Sequence, residues 1–63
     1  MDISDKRKIL AERIAAFNFD STDENRQAVM EIVRDVDPAG YQNLVKCQCA
    51  YEFHMILEAI LYP

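Results

Sequence analysis

Two cysteines and one histidine stand close together in the stretch VKCQCAYEFHM, residues 45–55. Thiolate and imidazole groups are the ligands that structural zinc sites use, in sets of four. On a continuous helix Cys47 and Cys49 point about 200° apart, and on a strand His54 faces away from both. The chain holds no other cysteine or histidine to complete a tetrahedral site. The spacing therefore argues against a metal, and both cysteines are interpreted as small buried apolar residues.

The same three side chains make a poor nucleophile and base. Cys47 and His54 share a helical face but stand about 10 Å apart along the axis, beyond the hydrogen-bond reach that such a pair requires. The chain has a single glycine, which excludes a glycine-rich phosphate loop. We therefore predict that the protein is not an enzyme, with no catalytic residue, no cofactor and no metal.

Length and composition favour self-association. A chain of 63 residues buries only about 60% of its unfolded surface, yet 51% of these residues are hydrophobic. One small domain, spanning residues 1–63, has too little interior for all of them, so a homodimer is expected. The net charge of −4 makes nucleic acid an improbable partner, because a general nucleic-acid binder needs cations to displace counterions.

The remaining compositional signals concern location. No apolar run of 18 residues exists, so no membrane span is expected. The start, MDISDKRKIL, lacks the apolar core of a signal peptide. Two cysteines two positions apart do not suggest a secreted disulfide framework, so a reducing cytoplasm is the expected compartment.

Periodicity predicts a mainly α fold with helices at about 4–17, 22–36 and 38–61. Ser4 is the expected cap of the first helix, and the FNFD that ends it, residues 17–20, is read as a loop with anchoring aromatic residues. For the second helix, the predicted capping box pairs Ser21 with Glu24. The predicted buried stripes are Ile9, Leu10, Ile14 and Phe17 on the first helix and Ala28, Val29, Ile32, Val33 and Val36 on the second.

The third helix starts at Asp37-Pro38, a favourable cap followed by proline at the first helical position. Strict apolar alternation over residues 45–55 allows a short strand within 45–54 instead, and 17–19 is a second candidate strand. The helix is preferred because no turn residue follows Met55. Apolar side chains would then surround it, which predicts an intertwined homodimer. The residues predicted to form the dimer or partner interface are Phe17, Phe19, Tyr41, Leu44, Val45, Cys49, Phe53, Ile56 and Ile60.

Over its whole length, and in stretches such as DENRQAVMEIVRDVDPAGYQNLVKCQC, the chain resembles a family of small early-lytic proteins of lambdoid bacteriophages, encoded between the exonuclease and excisionase genes. The resemblance implies a protein of the host cytoplasm that favours lytic growth. It also implies a dimer whose elements pack across the subunit boundary, built from two helices and one strand. That element count conflicts with three helical segments, and residues 45–55 are where the conflict would be resolved.

The leading functional hypothesis is a non-enzymatic, dimeric phage early protein that binds an unidentified host protein through an apolar groove. A small DNA-binding transcription regulator is an alternative, since the Asp37-Pro38 corner invites comparison with a helix-turn-helix motif. A purely structural assembly protein is the third.

Overall fold

Four helices account for nearly all of residues 3–62, the part of the chain that the computed structural model describes. They are α1 (Ile3–Phe19), α2 (Asp23–Val36), α3 (Pro38–Lys46) and α4 (Ala50–Leu61). Each helix packs against the next along the chain, and α4 returns to contact α1. This region contains no strand, since residues 17–19 end α1 and residues 45–54 run from α3 into α4. The predicted mainly α fold is confirmed, with four helices rather than three.

All four helices contribute to one hydrophobic core. The buried side chains are Leu10, Ile14, Phe17, Val29, Ile32, Val33, Leu44, Phe53, Leu57 and Ile60. The stripes predicted for the first two helices supply the α1 and α2 members. Of the third segment, Leu44, Phe53 and Ile60 are buried within the single chain, whereas Val45, Tyr51 and Met55 stay exposed. The intertwined homodimer stays a prediction.

The first helix is longer than predicted. It begins at Ile3, so Ser4 lies inside it rather than before it, and it continues to Phe19. The Asp20 N–H still donates to the Ala16 carbonyl at 2.9 Å. The predicted FNFD loop is therefore wrong. Phe19 does not anchor anything within the chain, because 94% of it is exposed.

Side-chain hydrogen bonds close the corner between α1 and α2. Thr22, with extended φ and ψ of −83° and 161°, caps α2 by accepting from the Asn25 N–H, so the predicted Ser21 cap is wrong by one residue. The Ser21 hydroxyl instead donates to the Phe17 carbonyl at 3.0 Å. The Asn25 side chain donates to the Asp20 carbonyl at 2.8 Å. These bonds fix the start of α2 relative to the end of α1.

The predicted single helix over 38–61 is wrong because the chain breaks at Cys47–Cys49. A continuous helix of that length would be about 36 Å long, and the longest dimension of the molecule is 31 Å. Such a helix could not return Phe53, Leu57 and Ile60 to the core. Breaking it allows α4 to fold back onto α1 and α3, so burial of these side chains compensates for the lost helical hydrogen bonds.

The break ends with a capping arrangement built on sulfur. Cys49 is the N-cap of α4, with φ −145° and ψ 160°, and its Sγ accepts from the Glu52 N–H at 3.5 Å. The Glu52 carboxylate in turn accepts from the Gln48 N–H at 3.3 Å. This is the spacing of a Ser/Thr-x-x-Glu capping box with cysteine in the first position. The sequence CAYE, residues 49–52, is therefore the signal that a new helix begins.

Replacing Cys49 tests this capping role. We expect Cys49→Ala to lower the free energy of unfolding by about 0.5–1 kcal/mol, because the Glu52 N–H loses its acceptor, whereas Cys49→Ser retains or raises stability because serine is a preferred cap. Urea unfolding followed by circular dichroism measures both. Equal stability of the two variants would contradict the cap.

The helices α3 and α4 pack closely because α3 carries the single glycine of the chain. The predicted Asp37 cap is confirmed, since its carboxylate accepts from the Gly40 N–H at 3.1 Å. A Cβ atom on Gly40 would lie 2.6 Å from Cδ1 and 2.9 Å from Cγ1 of Ile60. No residue larger than glycine fits unless the Ile60 side chain shifts.

Gly40→Ala has two opposing effects on stability. The added Cβ overpacks the contact between α3 and α4, whereas alanine favours the helical conformation more than glycine does. Overpacking costs about 1–3 kcal/mol and exceeds the ~1 kcal/mol that alanine gains over glycine inside a helix, so we expect net destabilisation. Ile60→Val removes Cδ1, the closer atom, so the double variant should be more stable than the sum of the single effects. Strict additivity in thermal unfolding would show that the two side chains do not meet.

Candidate functional site

Two phenylalanines link the end of α1 to the start of α4. The buried rings of Phe17 and Phe53 have centroids 5.4 Å apart and planes tilted by 59°, an arrangement favoured by aromatic quadrupoles. The His54 ring stacks on Phe17 at 5.3 Å, and the Arg26 guanidinium lies 5.2 Å from the centroid of Phe53. The aromatic pair is thus flanked by an imidazole and a guanidinium.

A groove of about 340 Å³ opens beside this pair, where the α1–α2 corner meets the link between α3 and α4. We call it the Phe17–Phe53 groove. It is lined by Phe17, Ser21, Arg26, Cys47, Gln48, Cys49, Ala50 and Phe53. Its floor is aromatic, and its rim carries polar side chains.

Both cysteines line this groove because the backbone is extended there. Residues two apart on an extended chain share a face, so the 200° separation expected on a helix does not apply. The Cys47 thiol donates to the Leu44 carbonyl at 3.1 Å. Cys47 is half-buried but Cys49 is exposed, so the interpretation of both as buried is wrong for Cys49. Within residues 3–62, no three His, Cys, Asp or Glu side chains are grouped so that they could hold a metal ion.

A second groove, of about 250 Å³, runs between α1 and α4. At one end of this helix pair Arg7 donates to the Ile60 carbonyl through both terminal nitrogens, at 3.2 and 3.3 Å. Between that contact and the Phe17 ring, α1 presents Ala11 and Ala15, which are too short to fill the space. This α1–α4 groove is lined by Ala11, Ile14, Ala15, Asn18, His54, Leu57, Glu58, Leu61 and Tyr62.

Large apolar side chains stand exposed on α4 next to that groove. Tyr51 and Met55 are one helical turn apart and are 75% and 50% exposed. Tyr62, which follows α4 and lines the groove, is 77% exposed. We call these three side chains the α4 ridge. Together with the α1–α4 groove, the ridge is a surface whose shape suits another apolar surface.

The residues predicted as an interface fall into three groups. Those buried in the core are Phe17, Leu44, Phe53 and Ile60. Those half-buried against the core are Tyr41 and Ile56. Those exposed are Phe19, Val45 and Cys49. The structure brings Phe17, Cys49 and Phe53 together in one groove, and the role of all nine as an interface stays a prediction.

Sequence reasoning missed Arg26 and the α4 ridge. Arg26 reads as one of several charged residues on the outer face of α2. On a continuous helix over 38–61, Tyr51 would share a face with Leu44 and Met55, which hides the exposed face that begins at the break. Recognising CAYE, residues 49–52, as a cap would have placed the start of a new helix at Ala50 and shown that Tyr51 and Met55 share an exposed face.

The helix that would read DNA in a helix-turn-helix protein corresponds to α3. It is short and exposes Gln42, Asn43 and Lys46, with no other basic residue among Pro38–Lys46. This offers few cations for phosphate contacts.

Comparison of the chain with protein-family models, with curated proteins and with solved structures finds no match.

Proposed function

We propose that this chain is a non-enzymatic, dimeric interaction protein of a phage early-lytic programme, acting in the host cytoplasm by binding a host protein. The observation that carries the proposal is the pairing of two apolar grooves with large exposed apolar side chains on so small a fold. The resemblance to early-lytic phage proteins supplies the biological setting. The α1–α4 surface is assigned to self-association and the Phe17–Phe53 groove to the host protein.

The area available supports self-association through the α4 ridge. A tyrosine side chain can bury about 150–250 Å², and a stable dimer needs roughly 800 Å² from each partner. Tyr51 and Tyr62 with Met55 supply a large part of that area. The alanines of the α1–α4 groove leave room for side chains of the second copy.

Substitutions on the ridge test the dimer. We expect the wild type to sediment at twice the 7.3 kDa chain mass, and Tyr51→Glu or Met55→Glu to sediment as a monomer, because an unpaired carboxylate would be buried in the interface. Both positions are exposed, so the helical circular dichroism signal should be unchanged, with stability within about 0.5 kcal/mol of wild type.

Gln27→Glu is the matched control for the dimer, because it adds the same single charge at an exposed α2 position. The control should remain dimeric. A wild type that sediments as a monomer at micromolar concentration would end the assignment of this surface.

The Phe17–Phe53 groove suits a protein partner better than a reaction. Its volume is at the lower end of the range for ligand sites, and it is formed from the ends of several elements at the surface. Neither thiol in it is paired with His54, whose ring lies against Phe17 instead. The groove therefore offers an aromatic floor for one inserted apolar side chain.

Blocking the groove tests partner binding. Ala50 lines the groove and is exposed, so Ala50→Tyr should fill it without disturbing the core. Ala39→Tyr, at an exposed position in the first turn of α3, is the matched control. From host lysate, wild type and Ala39→Tyr should retain the same protein, and Ala50→Tyr should lose it. Equal retention by all three would refute the assignment.

A further inference from the structure

The Phe17–Phe53 groove has a charge opposite to that of the protein as a whole. The chain carries 11 acidic and 7 lysine or arginine side chains, for a net charge of −4. The residues that line the groove include one cation, Arg26, and no aspartate or glutamate. The α1–α4 groove, by contrast, includes Glu58. A cationic groove on an acidic protein selects for an anionic partner.

Arg26 has no carboxylate partner in the part of the chain that the structure describes. Among residues 3–62, the ion pair within 4.0 Å joins Arg13 and Glu31, on another part of the surface. Arg26 instead lies over the Phe53 ring at 5.2 Å. A guanidinium over an aromatic face can still direct N–H groups to a carboxylate, which accepts two parallel hydrogen bonds from them.

Glu52, close in sequence to the groove residues Cys49 and Ala50, already accepts a hydrogen bond. The Glu52 carboxylate accepts from the Gln48 N–H at the start of α4, where it completes the cap. The α1–α2 corner holds Arg26 in place from the other side, because its N–H donates to the Thr22 carbonyl at 2.9 Å in the first turn of α2. Arg26 is thus fixed at its backbone and free at its charged end.

We infer that the Phe17–Phe53 groove binds an acidic segment of the partner protein, in which an aspartate or glutamate neighbours a large apolar residue. The apolar side chain rests on the Phe17 and Phe53 rings, and the carboxylate pairs with Arg26. A volume of about 340 Å³ suits one such side chain and the adjoining backbone rather than a folded domain. The inference rests on the proposed function and specifies the chemistry of the partner.

A charge reversal gives the sharpest test. A displayed library of random peptides is selected separately on wild type and on Arg26→Glu. We expect wild type to enrich peptides with Asp or Glu beside Phe, Leu, Ile or Met, and Arg26→Glu to enrich Lys or Arg at the same place. The substitution adds an acid to the first turn of α2, where the helix dipole tolerates it.

The matched control is Arg34→Glu, which makes the same charge change on the exposed side of α2 two turns further along. It should select the same acidic peptides as wild type. If Arg34→Glu loses the acidic preference as well, net charge rather than the groove is responsible, and the inference is overturned.

One enriched peptide and its Asp→Asn or Glu→Gln counterpart are then titrated into labelled protein and followed by amide chemical shifts. The acidic form should bind about 1.5-fold to fivefold more tightly, as expected for a partly exposed charge pair worth about 0.2–1 kcal/mol. The shifts should map to residues 47–53 and to the α1–α2 corner. Arg26→Gln should remove the difference between the two peptides, and this milder variant serves if Arg26→Glu does not fold.

The outcomes separate the two ideas. Peptides that bind in the groove with no acidic preference overturn the inference and leave the proposed function standing. Absence of any peptide from the groove counts against both. If the same amide shifts appear when wild type alone is concentrated, a second copy of the chain occupies the groove, and the inference is overturned.

Discussion

The contact between Phe17 and Phe53 is the interaction on which the rest of the structure depends. It joins the end of the first helix to the start of the last, so it closes a four-helix chain that otherwise packs only neighbour to neighbour. The Arg7 bond to the Ile60 carbonyl secures the opposite end of the same helix pair. In so small a domain, whose folding margin is narrow, these long-range contacts convert a row of helices into a shared core. Both grooves follow from this closure, since each borders the α1–α4 pair.

That closure requires the chain to reverse between Leu44 and Phe53, and local sequence signals describe this reversal poorly. Apolar stripes on α1 and α2 and the Asp37-Pro38 start of α3 could be predicted, because periodicity and caps act over a few residues. The break at Cys47–Cys49 has one local signal, the CAYE cap at residues 49–52, and that signal is weak. It contains no glycine or proline, and cysteine is not among the preferred caps. The decisive term is tertiary: a straight helix is longer than the molecule and would leave Phe53, Leu57 and Ile60 without partners.

Only part of the candidate site could be predicted, because local sequence signals do not show which distant residues meet. Phe17 and Phe53 were identified as interaction residues because they are apolar, but apolar character alone does not distinguish a core from an interface. Cys49 would share a side with Val45 and Phe53 only on a helix that continued through residues 47–49. Arg26 was overlooked because a charged residue on an outer helical face ordinarily belongs to solvent. Its position over Phe53 depends on the α1–α2 corner, where Ser21, Thr22 and Asn25 make their hydrogen bonds. Helical periodicity does not predict the geometry of such a corner.

The aromatic pair also forms the boundary between the two grooves. Phe17 lines one groove, and the His54 ring that stacks on it lines the other. A protein of this size has no separate scaffold, so the same rings stabilise the fold and shape both grooves. Substituting Phe17 or Phe53 would therefore remove folding and binding together and could not reveal which was lost. Only substitutions of exposed residues at the rims, such as Arg26, Ala50 and Tyr51, can separate the two, because they leave the core beneath intact.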